Sequence, residues 1–498
     1  MKEIYINQST TIIILIITAV VFAVIGILYS KKNNSLNEYL NANRSVKSSS
    51  LTASLIASCF GVWILIGPAE AATWGGVGAI LGYAFGQATP FLAFYFFGKR
   101  LRKIMPNGNS LTQFVYLRFG SKVFNLVLFL TIFYMIVYLT AEVTAVAKVL
   151  KTISGIPLWQ TALVILISTL SYTLYGGLKV SIFTDKIQFI IIIFFLILSL
   201  FYIFNLDSNS FRFDDLKKNS AYLLSTNYYY GYTSGITFFI AVFATNLFDQ
   251  GIWQRVYAAK SINDLRVGFI SSFIIVIPFI FILGFLGLVA VSTGKLNDPS
   301  TIFFSLLLDQ SNSIDTLFLV GILILVLVLV ISSMDTLINA ISSLITVESR
   351  KFIKLKNNDY LRLSKLIIIF LSLIIFYTAS QGNSVLFMFL FADLLCCAAA
   401  IPVFYGLYSK KLSSKITFTS ILMGLIFGLA FFPDQSFQKS LVVGNLIDVE
   451  FFPTWFSTAL LFWSFIFALL VPLLIIKFSK NNNNFNYLSL KKIKDVTT

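Results

Sequence analysis

The chain of 498 residues carries 57% apolar side chains and only 12% charged ones, with a mean hydropathy of +0.86. A soluble domain is typically about 25% charged, so these proportions exclude a water-soluble enzyme and fit a chain that crosses a bilayer many times. The lack of histidine excludes histidine-based catalysis and metal ligation, and Cys59, Cys396 and Cys397 lie in apolar stretches, where buried free thiols are expected.

Thirteen apolar runs follow one another at roughly 10–30, 50–73, 76–98, 122–152, 157–177, 182–205, 232–258, 264–293, 314–346, 363–380, 384–408, 415–432 and 453–477. A lipid-spanning helix takes about 20 apolar residues, so the expectation is an all-α polytopic protein with 13 transmembrane helices. The first run is longer than the core of a signal peptide and lacks a basic leader, so it reads as a retained helix. With thirteen alternating spans, 28 Lys and Arg fall on the face reached after the first span and 8 on the other, Lys186 sitting at a helix end. The excess places the N-terminus outside and the C-terminus in the cytoplasm of a cell membrane, plasma or bacterial inner. The net charge of +16 is then a topology signal, and nucleic acid drops out as a partner. The outer loop 206–230 is long enough to cap the outer mouth, and the polar tail 480–498 (KNNNNFNYLSLKKIKDVTT) reads as disordered.

Two spans are interrupted. The second, SLIASCFGVWILIGPAEAATWGG, breaks at Gly61 and at Gly67-Pro68; the seventh, GITFFIAVFATNLFDQGIWQRVYAAKS, breaks around Thr245, Asn246, Asp249, Gln250 and Gly251. A break in lipid is tolerable only where something polar uses the freed backbone groups. Two breaks five spans apart are the mark of inverted repeats with the binding site between them. The third span carries Gly78, Gly82 and Gly86 on one face, a spacing that permits close helix packing; Tyr83 and Gln87 on the same helix can reach a central cavity.

SYTLYGGLKVSIFTDKIQ (171–188), DQGIWQRVYAAKS (249–261) and VISSMDTLINAISSLITVESRKF (330–352) resemble the sodium/solute symporter family in order and spacing, over about 50–410. The resemblance implies a LeuT-type fold of five-plus-five inverted repeats with one extra helix before and two after. The chain then divides into an extra helix and loop (1–49), first repeat and outer loop (50–230), second repeat (231–410), two terminal helices (411–479) and the tail (480–498). Departures are Phe183, where many members have Trp, and Cys59, where the proline-transporting branch has aspartate.

A bare Na⁺ needs about five oxygens to replace its hydration shell, and an interrupted helix supplies free carbonyls. Ser332 and Ser333 are adjacent hydroxyls in an apolar run. The resemblance implies that Na⁺, the coupling ion, is held by these two hydroxyls with the carbonyls of Leu329, Ala57 and Phe60. Asp335 and Thr336 lie three and four residues beyond Ser332 on the same helix face. An acid so deep in a membrane is costly, which marks Asp335 and Asp185 as part of an ion path or an ion pair, with Lys186 and Arg350 as the cations in reach. By resemblance, Asp185, Asp335 and Thr336 form a second cation site or exit path.

The family's solute lies between the broken helices. Asp249, Gln250, Gln254 and Arg255 match a motif whose first position binds solute in sugar-transporting relatives, so Asp249, Gln250 and the neighbouring Asn246 are expected at the solute. An acidic acceptor there prefers a solute with N–H groups or positive charge. Trp63 offers a flat face, Gln87 a polar reach, and Glu142 and Asp393 two further intramembrane acids. FADLLCCAAAIPVFYGLYSKK with DQGIWQRVYAAKS most resembles the urea-transporting branch, which implies a small-molecule solute such as urea. The other readings are an amino-acid symporter, such as one for proline, a solute sensor acting with a separate partner, and an intramembrane enzyme. The last is disfavoured, since no nucleophile–base pair stands out.

Overall fold

The computed structural model describes residues 5–30, 35–206, 211–225, 227–296, 298–308, 316–435, 437, 439–443, 452–480 and 483–492. Among them the chain is all-helical, with eighteen α-helices: α1 Gln8–Ser30, α2 Leu36–Asn41, α3 Ser48–Cys59, α4 Gly67–Ile104, α5 Leu111–Phe119, α6 Ser121–Ser154, α7 Leu158–Asn205, α8 Phe213–Ser220, α9 Tyr229–Asn246, α10 Gln250–Ala258, α11 Ile262–Thr293, α12 Ile302–Leu307, α13 Thr316–Glu348, α14 Asn357–Ser380, α15 Val385–Tyr405, α16 Ser414–Phe431, α17 Thr454–Ser457 and α18 Leu460–Phe478. Ten helices are long and apolar enough to cross a membrane, or eleven if α9 and α10, bent by 56°, count as one broken span.

The difference from thirteen lies at glycines. Gly76 (φ 58°) and Gly177 (φ 63°) interrupt α4 and α7 in a left-handed conformation that side chains avoid, so each long helix contains a corner where two separate runs were expected. The second expected run is split instead into the short α3, a 3₁₀ turn at Val62–Leu65 and the start of α4.

Burial sorts the helices into layers. α13 is buried along 78% of its most apolar stretch, whereas α14 and α16 reach 28%. α13 is therefore the central post, and the apolar faces of α1, α14 and α16 are left for lipid. Gly78 and Gly82 of α4 meet the Gly231 and Gly235 backbone of α9 so closely that a Cβ on either would overlap a carbonyl, which is close packing of the kind their spacing permits.

Within the loop 206–230, Leu216 of α8 and Leu223 bury against Ile80, just past the Gly76 corner of α4, and Leu288, near the end of α11; residues 207–210 and 226 lie outside the described residues. The tail departs from the disorder expected of its composition. Phe485 N–H donates to the Lys410 carbonyl at 3.0 Å, and the Tyr487 hydroxyl to the Gly406 carbonyl at 2.7 Å. The Arg118 guanidinium lies between Phe119 and Phe485, 4.6 and 4.5 Å from the ring centroids. Two aromatics and Leu490 give the segment enough buried surface to order it despite its asparagines; residues 481–482 and 493–498 lie outside the described residues.

Candidate solute cavity and cation site

The first break begins where α3 ends. Phe60 (φ −84°, ψ 92°) and Gly61 (φ −94°, ψ −176°) are extended, so the chain leaves the helix and re-forms it at Gly67-Pro68, with proline in the first turn where its missing N–H costs nothing. In a continuous helix the N–H groups of Gly61, Val62 and Ile64 would bond the carbonyls of Ala57, Ser58 and Phe60. They go elsewhere: Gly61 to Cys59 O at 3.2 Å, Val62 to Glu142 Oε2 at 2.8 Å, and Ile64 to Gly61 O at 3.3 Å. The carbonyls of Ala57 and Phe60 are thereby released from the helical ladder.

Glu142, on α6, holds this break. It takes the Val62 N–H, more weakly the Trp63 N–H at 3.4 Å, and the Ser333 hydroxyl at 3.2 Å. A Cβ on Gly61 would overlap its carboxyl group. Glu142 is thus a brace between backbone and α13, and it does not line the cavity described below.

Ser332 and Ser333 face opposite neighbours. The Ser333 hydroxyl also reaches the carbonyls of Leu329 at 3.1 Å and Val330 at 3.2 Å, whereas Ser332 donates to Asp185 Oδ1 at 3.1 Å. Asp185 Oδ2 accepts the Ser54 hydroxyl at 2.5 Å and Arg255 Nη2 at 2.7 Å, with both ionic side chains fully buried. Arg255 also donates to Ser54 Oγ (2.8 Å), the Gly251 carbonyl (3.0 Å) and Thr336 Oγ1 (2.9 Å). A turn away, Thr184 donates to Asp335 Oδ2 at 3.3 Å. The cation beside Asp185 is therefore Arg255, reaching from α10. Lys186 instead lies over the Phe183 ring and Arg350 over that of Tyr360.

The second break places its residues differently from the motif's expectation. Asp249 caps α10, accepting the Ile252 N–H at 3.1 Å, and Gln250 donates to the Asn109 carbonyl at 2.9 Å. Neither lines the cavity between the breaks. Asn246 does: its amide donates to the Val242 carbonyl at 2.8 Å and to Gln87 Oε1 at 3.4 Å, and Gln87 donates in turn to Cys59 Sγ at 2.7 Å.

That cavity, of about 40 Å³, gathers Trp63, Tyr83, Gln87, Asn246 and Asp393 from the expected residues, with Thr245 of the second break and Tyr134, Tyr138, Val242 and Phe389. Trp63 stacks on Tyr83 at 6.1 Å and meets Phe389 edge-on at 6.3 Å, its indole N–H held by the Cys59 carbonyl at 3.1 Å. Among the described residues, Asp393 is the only acidic side chain in the lining, and no lysine or arginine joins it. Tyr134 and Tyr138 were missed, although they stand four apart and continue by the same step to Glu142, a helical stripe that period alone could have exposed. Phe389 precedes Asp393 by the same step.

Residues 39–424 match the Sodium:solute symporter family. The chain is 26% identical over 386 residues to the spermidine transporter DUR31 of Candida albicans, covering 77% of this chain and 72% of that one. It is 23% identical over 511 residues to the urea active transporter of Saccharomyces cerevisiae, covering 94% and 67%. A substrate-bound, outward-open Na⁺-coupled sialic acid symporter superposes with a TM-score of 0.72 at 16% identity, covering 96% of this chain and 99% of the other, which establishes the fold as all-helical and LeuT-like. With the family match covering more than three-quarters of the sequence, the chain belongs to the sodium:solute symporter family and is a multi-pass membrane transporter, not an enzyme.

Proposed function

We propose that the protein is a sodium-coupled symporter that imports urea, or a similarly small nitrogen compound, by alternating access. The observation that carries this reading is a small cavity between two helix breaks whose described lining holds one acid, Asp393, and no lysine or arginine. Asp393, Gln87 and Asn246 offer oxygens to N–H donors, and the Trp63 and Tyr83 rings offer flat faces. A buried water takes about 10–15 Å³ on the measure by which the cavity has about 40 Å³, so the space suits a solute of a few heavy atoms. A carboxylate solute would find no counter-ion in the lining. The relatives named for urea and spermidine transport favour the same nitrogen-rich class.

In this reading Na⁺ is cargo, bound by the carbonyls of Ala57, Phe60 and Leu329 and the hydroxyls of Ser332 and Ser333, while Asp185, Asp335 and Thr336 line a second cation site or exit path. Trp63, Gln87, Asn246 and Asp393 contact the solute; Glu142, Asp249 and Gln250 support its frame. The corners at Gly76 and Gly177 divide α4 and α7 so that thirteen spans result, with repeats at 50–230 and 231–410, N-terminus outside and C-terminus cytoplasmic. The test is uptake of labelled urea and a panel of small solutes into proteoliposomes with and without an inward Na⁺ gradient. Uptake should require Na⁺. Equal uptake driven by a proton gradient in Na⁺-free buffer rejects the coupling, and uptake of a panel solute without N–H groups in place of urea rejects the solute class.

A further inference from the structure

We propose that the groove between the last turn of α1, residues 42–50 and the part of α7 just past Gly177 binds the phosphate of an anionic phospholipid. The groove has a volume of about 250 Å³, and Lys47, Lys179 and Lys186 converge on it with Ser50, while no aspartate or glutamate lines it among the described residues. Its wall is the stacked pair Tyr29–Phe183, with centroids 4.1 Å apart and planes within 1°, and the Lys186 ammonium lies over Phe183 at 5.5 Å. Lys179 is held by Glu38 at 2.6 Å, whereas Lys186 forms no ion pair among the described residues. The nearest acid in sequence, Asp185, points the other way and is occupied by Ser54, Arg255 and Ser332. The charge left for a ligand is therefore that of Lys186, with Lys179 offset by Glu38 and Lys47 partly offset by Asp264, which accepts the Ser48 N–H at 3.0 Å.

What lies beyond the groove selects a lipid over a soluble anion. The two helices that bound it both expose apolar side chains: Val20, Val24 and Leu28 on α1, and Ile190, Phe194 and Phe201 on α7. Acyl chains can lie along these faces while the headgroup phosphate meets the lysines, a basic pocket between membrane helices being a usual lipid-headgroup site. The bound lipid would join the extra helix α1 to α7, the helix that carries Asp185.

The test uses the purified full-length protein in a neutral detergent, read by native mass spectrometry and thermal unfolding with added phosphatidylglycerol, phosphatidylcholine or inorganic phosphate. Phosphatidylglycerol should be retained and raise the unfolding temperature, and phosphatidylcholine should do neither. Lys47→Gln and Lys186→Gln should each weaken retention about fivefold, and Lys186→Arg should preserve it. Because Lys47 is exposed, Lys47→Gln decides the matter alone if the Lys186 variants do not fold. Equal retention of the two lipids, unchanged retention in the glutamine variants, or protection by inorganic phosphate equal to that by phosphatidylglycerol would each overturn the proposal.

Discussion

Replacing Glu142 with glutamine keeps the length of the side chain and removes half of its acceptors. In the protein Oε2 takes the Val62 N–H at 2.8 Å and the Ser333 hydroxyl at 3.2 Å, and Oε1 takes the Trp63 N–H at 3.4 Å. An amide has one oxygen, so in either orientation its NH₂ faces a backbone N–H that it cannot satisfy. The Trp63 bond is long enough to count for little. The amide therefore turns its NH₂ to Trp63 and keeps its oxygen on Val62 and Ser333, so the loss is the difference between a charged and a neutral acceptor at the Val62 bond, about 1 kcal/mol. Because this bond holds open the break that releases the Ala57 and Phe60 carbonyls, the loss should fall on sodium binding. It should appear as a rise of roughly fivefold in the Na⁺ concentration for half-maximal uptake. Any part of it absorbed by the fold should appear as a lower unfolding temperature in detergent. A Na⁺ titration of proteoliposome uptake, paired with thermal unfolding, measures both. If neither moves, the break sustains itself and Glu142 is not its brace.

Asp393→Asn should weaken solute affinity roughly 10–150-fold, the worth of one charge-assisted hydrogen bond, while Na⁺ activation is kept; equal losses of both would make Asp393 part of the frame. Arg255→Gln leaves Asp185 buried without its cation and should destabilise the protein by about 3–5 kcal/mol, seen in thermal unfolding, whereas Asp185→Asn with Arg255→Gln should recover most of that loss. A double variant no better than the single would show that the pair is not the stabilising unit. Asp249→Ala should cost about 0.5–2 kcal/mol as a lost helix cap, and Asp249→Asn, an equivalent cap, should be nearly silent in stability and solute affinity. A solute-specific loss in Asp249→Asn would return that residue to the cavity.

The broad architecture was legible because span length and helix breaks are written locally. Gly61, Gly67-Pro68 and the polar run at 245–251 mark interruptions whatever they pack against. The corners at Gly76 and Gly177 were harder to read. Each glycine sits beside another, Gly75 and Gly176, and only the backbone shows which one takes the positive φ. Side-chain partners lie further from what a sequence displays. Asp249 sits at a helix start, and its role as a cap depends on the turn that Asn246–Asp249 adopts. Arg255 is 70 residues from Asp185 and meets it only because α3, packed between them, brings Ser54 to both side chains. The tail misled because its asparagines dominate the composition while Phe485 and Tyr487 supply the contacts.

Ser332 and Ser333 are neighbours in sequence, yet their hydrogen bonds lead to two separate clusters. Ser332 bonds the Asp185–Arg255 cluster that ties α7 to α10, and Ser333 bonds Glu142, the brace of the break whose Trp63 lines the solute cavity. An ion drawn to these hydroxyls competes with both bonds at once, which gives ion binding a route to the cavity through Glu142. That route can be measured as a coupling. In a cycle of Ser333→Ala, Glu142→Gln and the double variant, where glutamine keeps an oxygen toward Ser333 and loses only the charge, the departure from additivity in Na⁺ affinity should be about 1 kcal/mol. The Ser332→Ala and Glu142→Gln pair should add to within about 0.5 kcal/mol, because Ser332 turns away from Glu142. Both cycles are read from the Na⁺ dependence of uptake, with thermal unfolding to confirm that each variant is folded. Additivity in both would mean that the ion reaches the cavity by some other contact, and coupling of equal size in both would mean that α13 responds as a rigid whole.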